Sequence, residues 1–535
     1  MLSNSPLGRC GALLICCTGL MAGCAGLPGR DFPRPAPMEV HNPPSPSLAQ
    51  PFLPAARQHE GASGFRLYSL GIDGLLLRLE LIAQAKSSLD LQYYIFHGDE
   101  SGRLITEALL QAAQRGVRVR IVVDDAETAA GDEQLFALVG ANNVSIRIFN
   151  PWRYRGHNRF MRGLEFTFNK KRLDYRMHNK LFIADGAAAL IGGRNIGDQY
   201  FQVDPDSPFA DDDVFITGPT VATLAKTFAQ YWDSELAVPV EAVAPREQYD
   251  ATRAAELAAR RTLAQKAMTA DAHYAEKLAA GEPLASLLAG TAPVNWAPAA
   301  LACDSPDKKH VAAGERAGSL MFGVVAKTIR ETQTELILVT PYLIPSPEEM
   351  ALLGDLTGPH RRVRILTTSL EATSDPFAEA GYEHHRVRLL QSGVELYELR
   401  THPESTRGSG QSAKMTSYGN FSLHAKYLVF DRSAIYVGSM NYDARSRWLN
   451  TEVGLIIYSP ELATEGARRF EAMTQPASAY AVTLEHPEGD PSDPKLVWST
   501  AQQGRPISYH TEPARNAWQR WEIHTLALLP IDHEL

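Results

Sequence analysis

HAKYLVFDRSAIYVGSMN, from His424 to Asn441, repeats the skeleton of HNKLFIADGAAALIGGRN, from His178 to Asn195. Each stretch is eighteen residues long and fits one template: His-x-Lys, four mostly apolar residues, Asp, six residues, then Gly-[Gly/Ser]-x-Asn. The apolar run predicts a strand, on which residues i and i+2 face the same side. His178 and Lys180 therefore project together, as do His424 and Lys426. Asp185 and Asp431 fall at the ends of the runs. Gly-Gly or Gly-Ser then permits close backbone approach, and Asn195 and Asn441 offer amide donors, with Ser439 beside the second. An imidazole, an ammonium and an amide suit a tetrahedral anion. A lone H-x-K would be an ordinary packed or surface histidine; two copies at identical spacing argue for two half-sites.

The repeat extends outward from these motifs. SSLDLQYYIF (Ser87–Phe96) is matched by TELILVTPYLI (Thr334–Ile344), and VSIRIFNP (Val144–Pro151) by VELYEL (Val394–Leu399). RVRI occurs at Arg118–Ile121 and Arg362–Ile365, sixty and sixty-two residues before the respective His. Helix-like stretches such as SGRLITEALLQAAQRG lie between the strands, so the pattern is an α/β sheet with helices on its faces. The halves are residues 63–240 and 315–475, joined by a helical linker or insertion at 241–314 that is Ala- and charge-rich from Pro245 to about Gly281. Residues 476–535, with Trp498, Trp518, Trp521 and the run LALLPI, form a C-terminal segment expected to pack back onto the body, with membrane contact as the alternative.

The N-terminus reads as a processing segment. Arg9 precedes the apolar run GALLICCTGLMAG (Gly11–Gly23), which is too short to span a bilayer as a helix. It ends in Leu20-Met21-Ala22-Gly23-Cys24, which resembles the lipobox of bacterial lipoproteins with Met21 where Leu is usual. The resemblance implies removal of residues 1–23 and acylation of Cys24; an ordinary signal peptide or uncleaved anchor is the alternative. Cys303 would then be the sole remaining thiol, which leaves no structural disulfide. Residues 24–62, with nine prolines between Ala25 and Gly61, read as an extended tether.

Apolar residues make up 44% of the 535 and charged residues 21%, as in a folded soluble body. The net charge of −9 disfavours a general nucleic-acid binder. There is no G-x-x-x-x-G-K-[ST], H-E-x-x-H or G-x-S-x-G signature, and no ligand spacing for a metal; His384-His385 reads as a solvated pair. Two anion half-sites facing one another can break a phosphodiester without metal. One imidazole attacks phosphorus, the other moves the proton, and the Lys and Asn groups hold the equatorial oxygens.

The two motifs resemble the HKD signatures of the phospholipase D superfamily. LDLQYYIF, RMHNKLFIADG, GGRNIGDQYF, AGYEHHRVRLLQSGVELYEL, SLHAK and LNTEVG resemble bacterial cardiolipin synthases of the C-type branch, from about Phe65 to the C-terminus. The resemblance implies two pseudo-twofold-related phospholipase D-like α/β/α sandwich domains sharing one active site, interrupted by the Ala-rich helical insertion. It implies a phosphatidyltransferase working through a phosphohistidine, with His178 as nucleophile and His424 as general acid. It also implies a carboxylate downstream of each motif that orients the catalytic imidazole: Glu452 in LNTEVG, and Asp211 in FADDDVFITGP with Asp212 and Asp213 as neighbours that could substitute. Asp185 and Asp431 belong to the signature, with ion pairing as their expected role, and Tyr93, Tyr94 and Tyr342 are either pocket or core aromatics. No metal or organic cofactor is implied. A lipid-anchored chain would act from the periplasmic face of a Gram-negative envelope, and Ala25 after Cys24 favours the outer membrane.

Residues Arg153–Arg176 carry eight Lys or Arg against Glu165 and Asp174, interleaved with Tyr154, Phe160, Phe166, Phe168 and Tyr175. This mixture suits an anionic phospholipid surface, where each cation contributes about 1 kcal/mol; single-stranded nucleic acid or a solvated loop are the alternatives. The expected partners are thus anionic phospholipids and a membrane surface, with room for a helper protein and no nucleic acid. A monomer suffices because both half-sites lie in one chain. The competing functions are a hydrolytic phospholipase D, a superfamily nuclease and a non-catalytic lipid-binding lipoprotein.

Overall fold

The computed structural model describes residues 27–29, 32–33, 46–125, 138–156, 158–203, 209–243, 284–308, 321–401, 422–486 and 494–529. Cys24 and the Ala-rich stretch Pro245 to Gly281 lie outside the described residues.

The first half is a sheet of nine strands: β1 (Ser63–Tyr68), β2 (Ser88–Tyr93), β3 (Arg118–Asp124), β4 (Val144–Phe149), β5 (Leu181–Ala184), β6 (Ala188–Gly192), β7 (Asp213–Thr217), β8 (Ala237–Pro239) and β9 (Asn295–Ala297). Their spatial order is β8-β4-β3-β2-β5-β6-β7-β1-β9, with β2, β3 and β4 parallel and the others antiparallel to their neighbours. The second sheet contains β10 (Ala299–Cys303), β11 (Glu335–Val339), β12 (Arg362–Thr368), β13 (Glu395–Leu399), β14 (Tyr427–Phe430), β15 (Ala434–Gly438), β16 (Val453–Ile457), β17 (Ala479–Glu485), β18 (Lys495–Gln502) and β19 (Arg505–Tyr509). Its order is β10-β16-β15-β14-β11-β12-β13-β17-β18-β19. The strands paired by the sequence repeat occupy equivalent positions, β2 with β11, β3 with β12, β4 with β13 and β5 with β14.

Val, Ile and Leu dominate the central strands because both faces are buried. One shared core lies between the sheets and includes Ile183 and Val214 from the first half and Val429 and Leu455 from the second. Helices Pro219–Asp233 and Pro460–Met473 contribute Phe228 and Phe470 to it. Separate cores back each sheet on its outer side, one around Leu89 and Ile121, the other around Leu338 and Ile365.

Three expectations from sequence are corrected, and a fourth, that the C-terminal segment packs onto the body, is met with two of its tryptophans left exposed. The linker supplies sheet rather than only helix: β9 closes the first sheet beside β1, and β10 pairs with β16 as β1 pairs with β7. The second half therefore starts near Ala299, not at residue 315. Pro298 at the crossing and the vacant edges of both sheets override the local Ala-rich preference. Residues 46–58 of the expected tether form short helices that bury Leu48 and Phe52, the latter 5.8 Å from the Phe215 ring. In the C-terminal segment β17 to β19 extend the second sheet and Trp498 Nε1 donates to Glu398 at 2.9 Å, but Trp518 and Trp521 are exposed. Finally, His385 is buried rather than solvated, while His384 is exposed with Nε2 2.6 Å from the Ala527 carbonyl.

Candidate active site

Each motif histidine sits just before a central strand, at the carboxyl end of its antiparallel neighbour: Leu181 pairs with Gln92, and Tyr427 with Val339. Two miniature parallel pairings bring the halves together. Arg176–Met177 runs beside Asn450–Thr451, and Ser422–Leu423 beside Phe209–Ala210. The next residue on each motif side is the histidine, and on the other side the carboxylate. His178 N donates to Thr451 O at 2.9 Å and His424 N to Ala210 O at 2.8 Å, which fixes the register.

The carboxylates consequently cross. His178 Nδ1 lies 2.9 and 3.0 Å from the two oxygens of Glu452, from the other half, and His424 Nδ1 lies 2.6 Å from Asp211 Oδ2. With Nδ1 donating to a carboxylate, each ring carries its proton there and leaves Nε2 as a bare lone pair. The three consecutive aspartates are divided among different partners. Asp211 takes His424, Asp212 pairs with Arg469, and Asp213 binds Arg78 at 2.7 Å and Arg194 at 3.2 Å.

Lys180 Nζ donates to the His178 carbonyl at 2.6 Å, and Lys426 Nζ to the His424 carbonyl at 2.5 Å. Burial pulls the Lys180 ammonium well below its ordinary value and Lys426 down to about 8. Burial, reinforced by Lys180, Lys426 and Arg445, also pulls His178 well below the usual imidazole range, and His424 falls to about 3 through burial and the Lys426 charge. Burial raises Glu452 to about 7. Burial thus favours the neutral form of both imidazoles. Lys180 and Lys426, each 1% exposed, cost several kcal/mol each to desolvate, a cost that an anionic ligand between them would offset.

Aromatic rings wall the two imidazoles. The Tyr94 and His178 rings meet in a T-shaped contact with centroids 4.9 Å apart, and Lys180 Nζ lies over the Tyr94 ring at 5.4 Å. His424 stacks on Phe209 at 5.1 Å, with Tyr200 edge-on at 5.1 Å. Tyr93 is a core residue whose hydroxyl accepts from Arg78 at 3.0 Å, and Tyr342 is half-buried.

The other motif residues have different positions. Asp185 and Asp431 lie at the far ends of β5 and β14, about 17 Å along the strand from their lysines. Among the described residues neither makes the ion pair expected of it. Asp185 accepts from the backbone of Lys86, Ser87 and Ser88 and from Ser87 Oγ, stitching the turn to the start of β2. Asp431 makes the equivalent bonds to Gln333, Thr334 and Glu335. Both sit at positive φ, 53° and 51°, which Asp tolerates in such a turn. They are placed to hold the fold, not phosphorus. Ser439 differs too: its Oγ donates to Glu452 at 2.5 Å and accepts from Val453 N, so it holds the carboxylate rather than a phosphate. Asn195 is buried with Oδ1 accepting from Ile95 N at 3.1 Å, and Asn441 is buried with its backbone NH on Ser446 Oγ.

Asp304 and Lys308, inside the supposed linker, support Glu452. Asp304 Oδ2 accepts from Glu452 N at 3.1 Å and from Lys308 Nζ at 2.8 Å, and the Lys308 ammonium also caps the Ser446 and Asn450 carbonyls. No motif marks them. Phe209 was accessible to reading, since it stands two residues before Asp211 and on the same side. Among the described residues one trio could hold a metal ion, Glu383, Glu512 and His524; it is not part of the histidine cluster, and Arg386 already binds Glu512 at 2.6 Å.

Comparison with known proteins accounts for this arrangement. The family described as cardiolipin synthase, PLD-like domain, matches residues 79–232 and 325–474. The chain belongs to that family. It is 34% identical over 487 residues to cardiolipin synthase C of Escherichia coli (strain K12), covering 91% of this chain and 99% of the relative. It is 24% identical over 404 residues to the major cardiolipin synthase ClsA of Bacillus subtilis (strain 168), covering 75% of this chain and 67% of that one. The solved phosphatidylserine synthase of Haemophilus influenzae Rd KW20 aligns over 79% of this chain and 90% of its own with a TM-score of 0.52 at 14% identity, a likeness of fold. The protein is a phospholipase D-superfamily phosphatidyltransferase acting on phospholipids, built as a pair of related α/β sandwiches. Among its described residues no helix is long and apolar enough to cross a membrane.

Proposed function

We propose that this phosphatidyltransferase joins two phospholipids into cardiolipin through a phosphohistidine, with phosphatidylglycerol as acceptor and either phosphatidylglycerol or phosphatidylethanolamine as donor. The observation that carries the reading is the crossed pair of imidazole–carboxylate contacts, His178 with Glu452 and His424 with Asp211, with two buried lysines between them.

His178 Nε2 attacks phosphorus of the donor. The bond from phosphorus to the headgroup oxygen breaks as His424 delivers a proton to that oxygen, and glycerol or ethanolamine leaves. The phosphodiester itself supplies the charge that lets His424 carry this proton: an anion beside the imidazole favours its cationic form and opposes the effect of burial. His424, now neutral, removes the proton from the acceptor hydroxyl. The resulting oxygen displaces His178 from phosphorus and forms the second phosphodiester of cardiolipin. Lys180 and Lys426 neutralise the equatorial oxygens, where charge accumulates in the transition state. Aromatic walls at Tyr94, Phe209 and Tyr200 limit water around the phosphoenzyme, which favours transfer over hydrolysis. The apolar run ending in Cys24 supports a lipid-anchored protein working at the periplasmic face, with the outer membrane favoured by Ala25.

The test supplies the full chain with vesicles of phosphatidylglycerol, with and without phosphatidylethanolamine, and identifies every lipid product by mass spectrometry. Cardiolipin formed by the wild type and not by His178→Ala is the expected result. Phosphatidic acid without cardiolipin would assign the chain to hydrolysis instead.

A further inference from the structure

Two exposed apolar stripes flank the catalytic end, and neither belongs to the catalytic machinery. The first is on helix Arg159–Leu173, where Phe160, Met161, Leu164 and Phe168 are all exposed, Phe160 to 74%. Their spacing of one, four and eight residues places them along one face. The second is on helix Ala517–Leu526 and the turn after it, where Trp518 and Trp521 are 66% and 57% exposed and Leu528 and Leu529 continue the face. The two indoles lie 4.7 Å apart, while Ile523 on the opposite side is buried and anchors the helix against Leu370 and Ala380. An exposed tryptophan pair is costly to leave in water.

Both stripes are tied to the site by short chains of contacts. The first helix follows β4 and ends at Asp174, which receives two hydrogen bonds from Arg445, a charge felt by His178. Arg445 lies on helix Ala444–Trp448, which also exposes Trp448. The second helix is seated on the turn that follows β12, where Arg515 donates to the Glu371 and Thr373 carbonyls and Gln519 to that of Leu370. Ser422, two residues before His424, donates to Ala372 on the same turn. Phe377, just beyond it, is exposed as well.

Charge distinguishes among partners. The acids of the first segment are turned inward: Glu165 accepts from the Arg153 and Tyr154 backbone, and Asp174 is held by Arg445. Lys170 and Lys171 are exposed on a protein of net charge −9. A cationic helix with an aromatic stripe, and a second helix with two exposed tryptophans, match the headgroup layer of an anionic bilayer. Two separated narrow stripes also suit an extended surface better than a compact protein partner.

We infer that helix Ala517–Leu526 and helix Arg159–Leu173 are two feet that seat the catalytic end on an anionic lipid bilayer, so that the substrate phosphate passes from the headgroup layer to the histidines. This rests on the phospholipid reading above. It adds the C-terminal tryptophan helix as a membrane-binding element.

The experiment places the full chain on vesicles of equal parts phosphatidylglycerol and phosphatidylcholine, with bromine on the acyl chains to quench nearby indoles. Trp518→Phe/Trp521→Phe should remove most of the quenching seen in wild type, whether or not another segment also holds the protein to the vesicle. Trp518→Ser/Trp521→Ser should lower turnover of vesicle phosphatidylglycerol about tenfold and leave turnover of a monomeric short-chain analogue unchanged. Equal quenching in wild type and the Phe variant would overturn the inference, as would an equal loss on both substrates. A concentration-dependent dimer lost in the Ser variant, with no lipid quenching, would assign the face to a second copy. Quenching that depends on Trp518 and Trp521, in a protein that turns over neither lipid, would uphold the docking face and reject the cardiolipin reading.

Discussion

The two half-sites share a skeleton but not a supporting layer. Around His178 the carboxylate is a glutamate, held by Ser439 Oγ and by its own backbone NH on Asp304. Around His424 it is the shorter aspartate, packed against Gly193 so closely that a Cβ there would collide with it. Gly193 and Ser439 are equivalent positions of the repeat. The longer carboxylate needs a hydroxyl to fix its extra rotor, and the shorter one needs the space that glycine leaves. The rings differ as well, since His424 is stacked flat on Phe209 while His178 meets Tyr94 in a T-shaped contact. Symmetry of the reacting atoms is kept while their environments diverge, as expected if one histidine attacks and the other shuttles a proton.

The largest effects should separate the two roles. His178→Ala and His424→Ala should each reduce cardiolipin formation on the order of 10⁴-fold with natural headgroups. With an activated leaving group such as p-nitrophenol, His424→Ala should regain most of the first step in a stopped-flow burst. His178→Ala should not. Equal loss on both substrates would remove the distinction between nucleophile and acid.

Next come the carboxylates. Glu452→Gln and Asp211→Asn should each lower kcat on the order of 100-fold or more by losing the tautomer that leaves Nε2 bare. Because the contacts cross, Glu452→Gln should impair attack, and Asp211→Asn should impair departure of a poor leaving group. The reverse assignment in burst kinetics would contradict the crossed pairing.

A smaller effect concerns pH. Burial holds Lys426 down to about 8, so kcat/KM should fall as pH rises through that value, by about tenfold per unit beyond it. Lys426→Arg, which keeps its charge, should move this limb to higher pH even if the rate is lower. A wild-type profile that is flat to pH 10 would show that Lys426 stays charged or is dispensable.

Ser439→Ala removes one hydrogen bond to Glu452 and should cost about 1 kcal/mol of transition-state stabilisation, or roughly fivefold in kcat. The second half would then depend more on Asp304. The smallest catalytic change is expected at the signature aspartates, whose effect should be on stability. Asp185→Ala strips acceptors from three backbone amides at a buried turn and should destabilise by about 3 kcal/mol, against about 1 kcal/mol for the more exposed Asp431→Ala, measured by urea unfolding. The backbone amides hold Asp431 below its usual pKa despite opposing burial, so its contribution is full at neutral pH and is lost as pH falls through that depressed value.

Much of this organisation is legible in the chain because the repeat is carried by residues with strong local demands. His-x-Lys before an apolar run, RVRI and the glycine pair survive in both halves and mark equivalent strands. Crossing of the carboxylates was not legible, because Glu452 and His178 are 274 residues apart and meet through the pairing of residues 450–451 with 176–177. The strands at 295–303 were hidden for a related reason. Ala-Leu-Ala-Cys favours no sheet by itself and becomes strand only where a waiting edge completes its hydrogen bonds. Ser439 looked like a phosphate donor because its hydroxyl had no visible partner in sequence. Asp185 and Asp431 looked ionic because the amides they bind carry no side-chain signal.

The most direct measurement is the site of covalent attachment during turnover. Enzyme quenched in acid-free denaturant while acting on a short-chain phosphatidylglycerol should carry a phosphatidyl adduct on His178. Peptide mass spectrometry should find it at higher occupancy in Asp211→Asn and absent in His178→Ala. An adduct on His424, or none under conditions where cardiolipin is being made, would contradict the account.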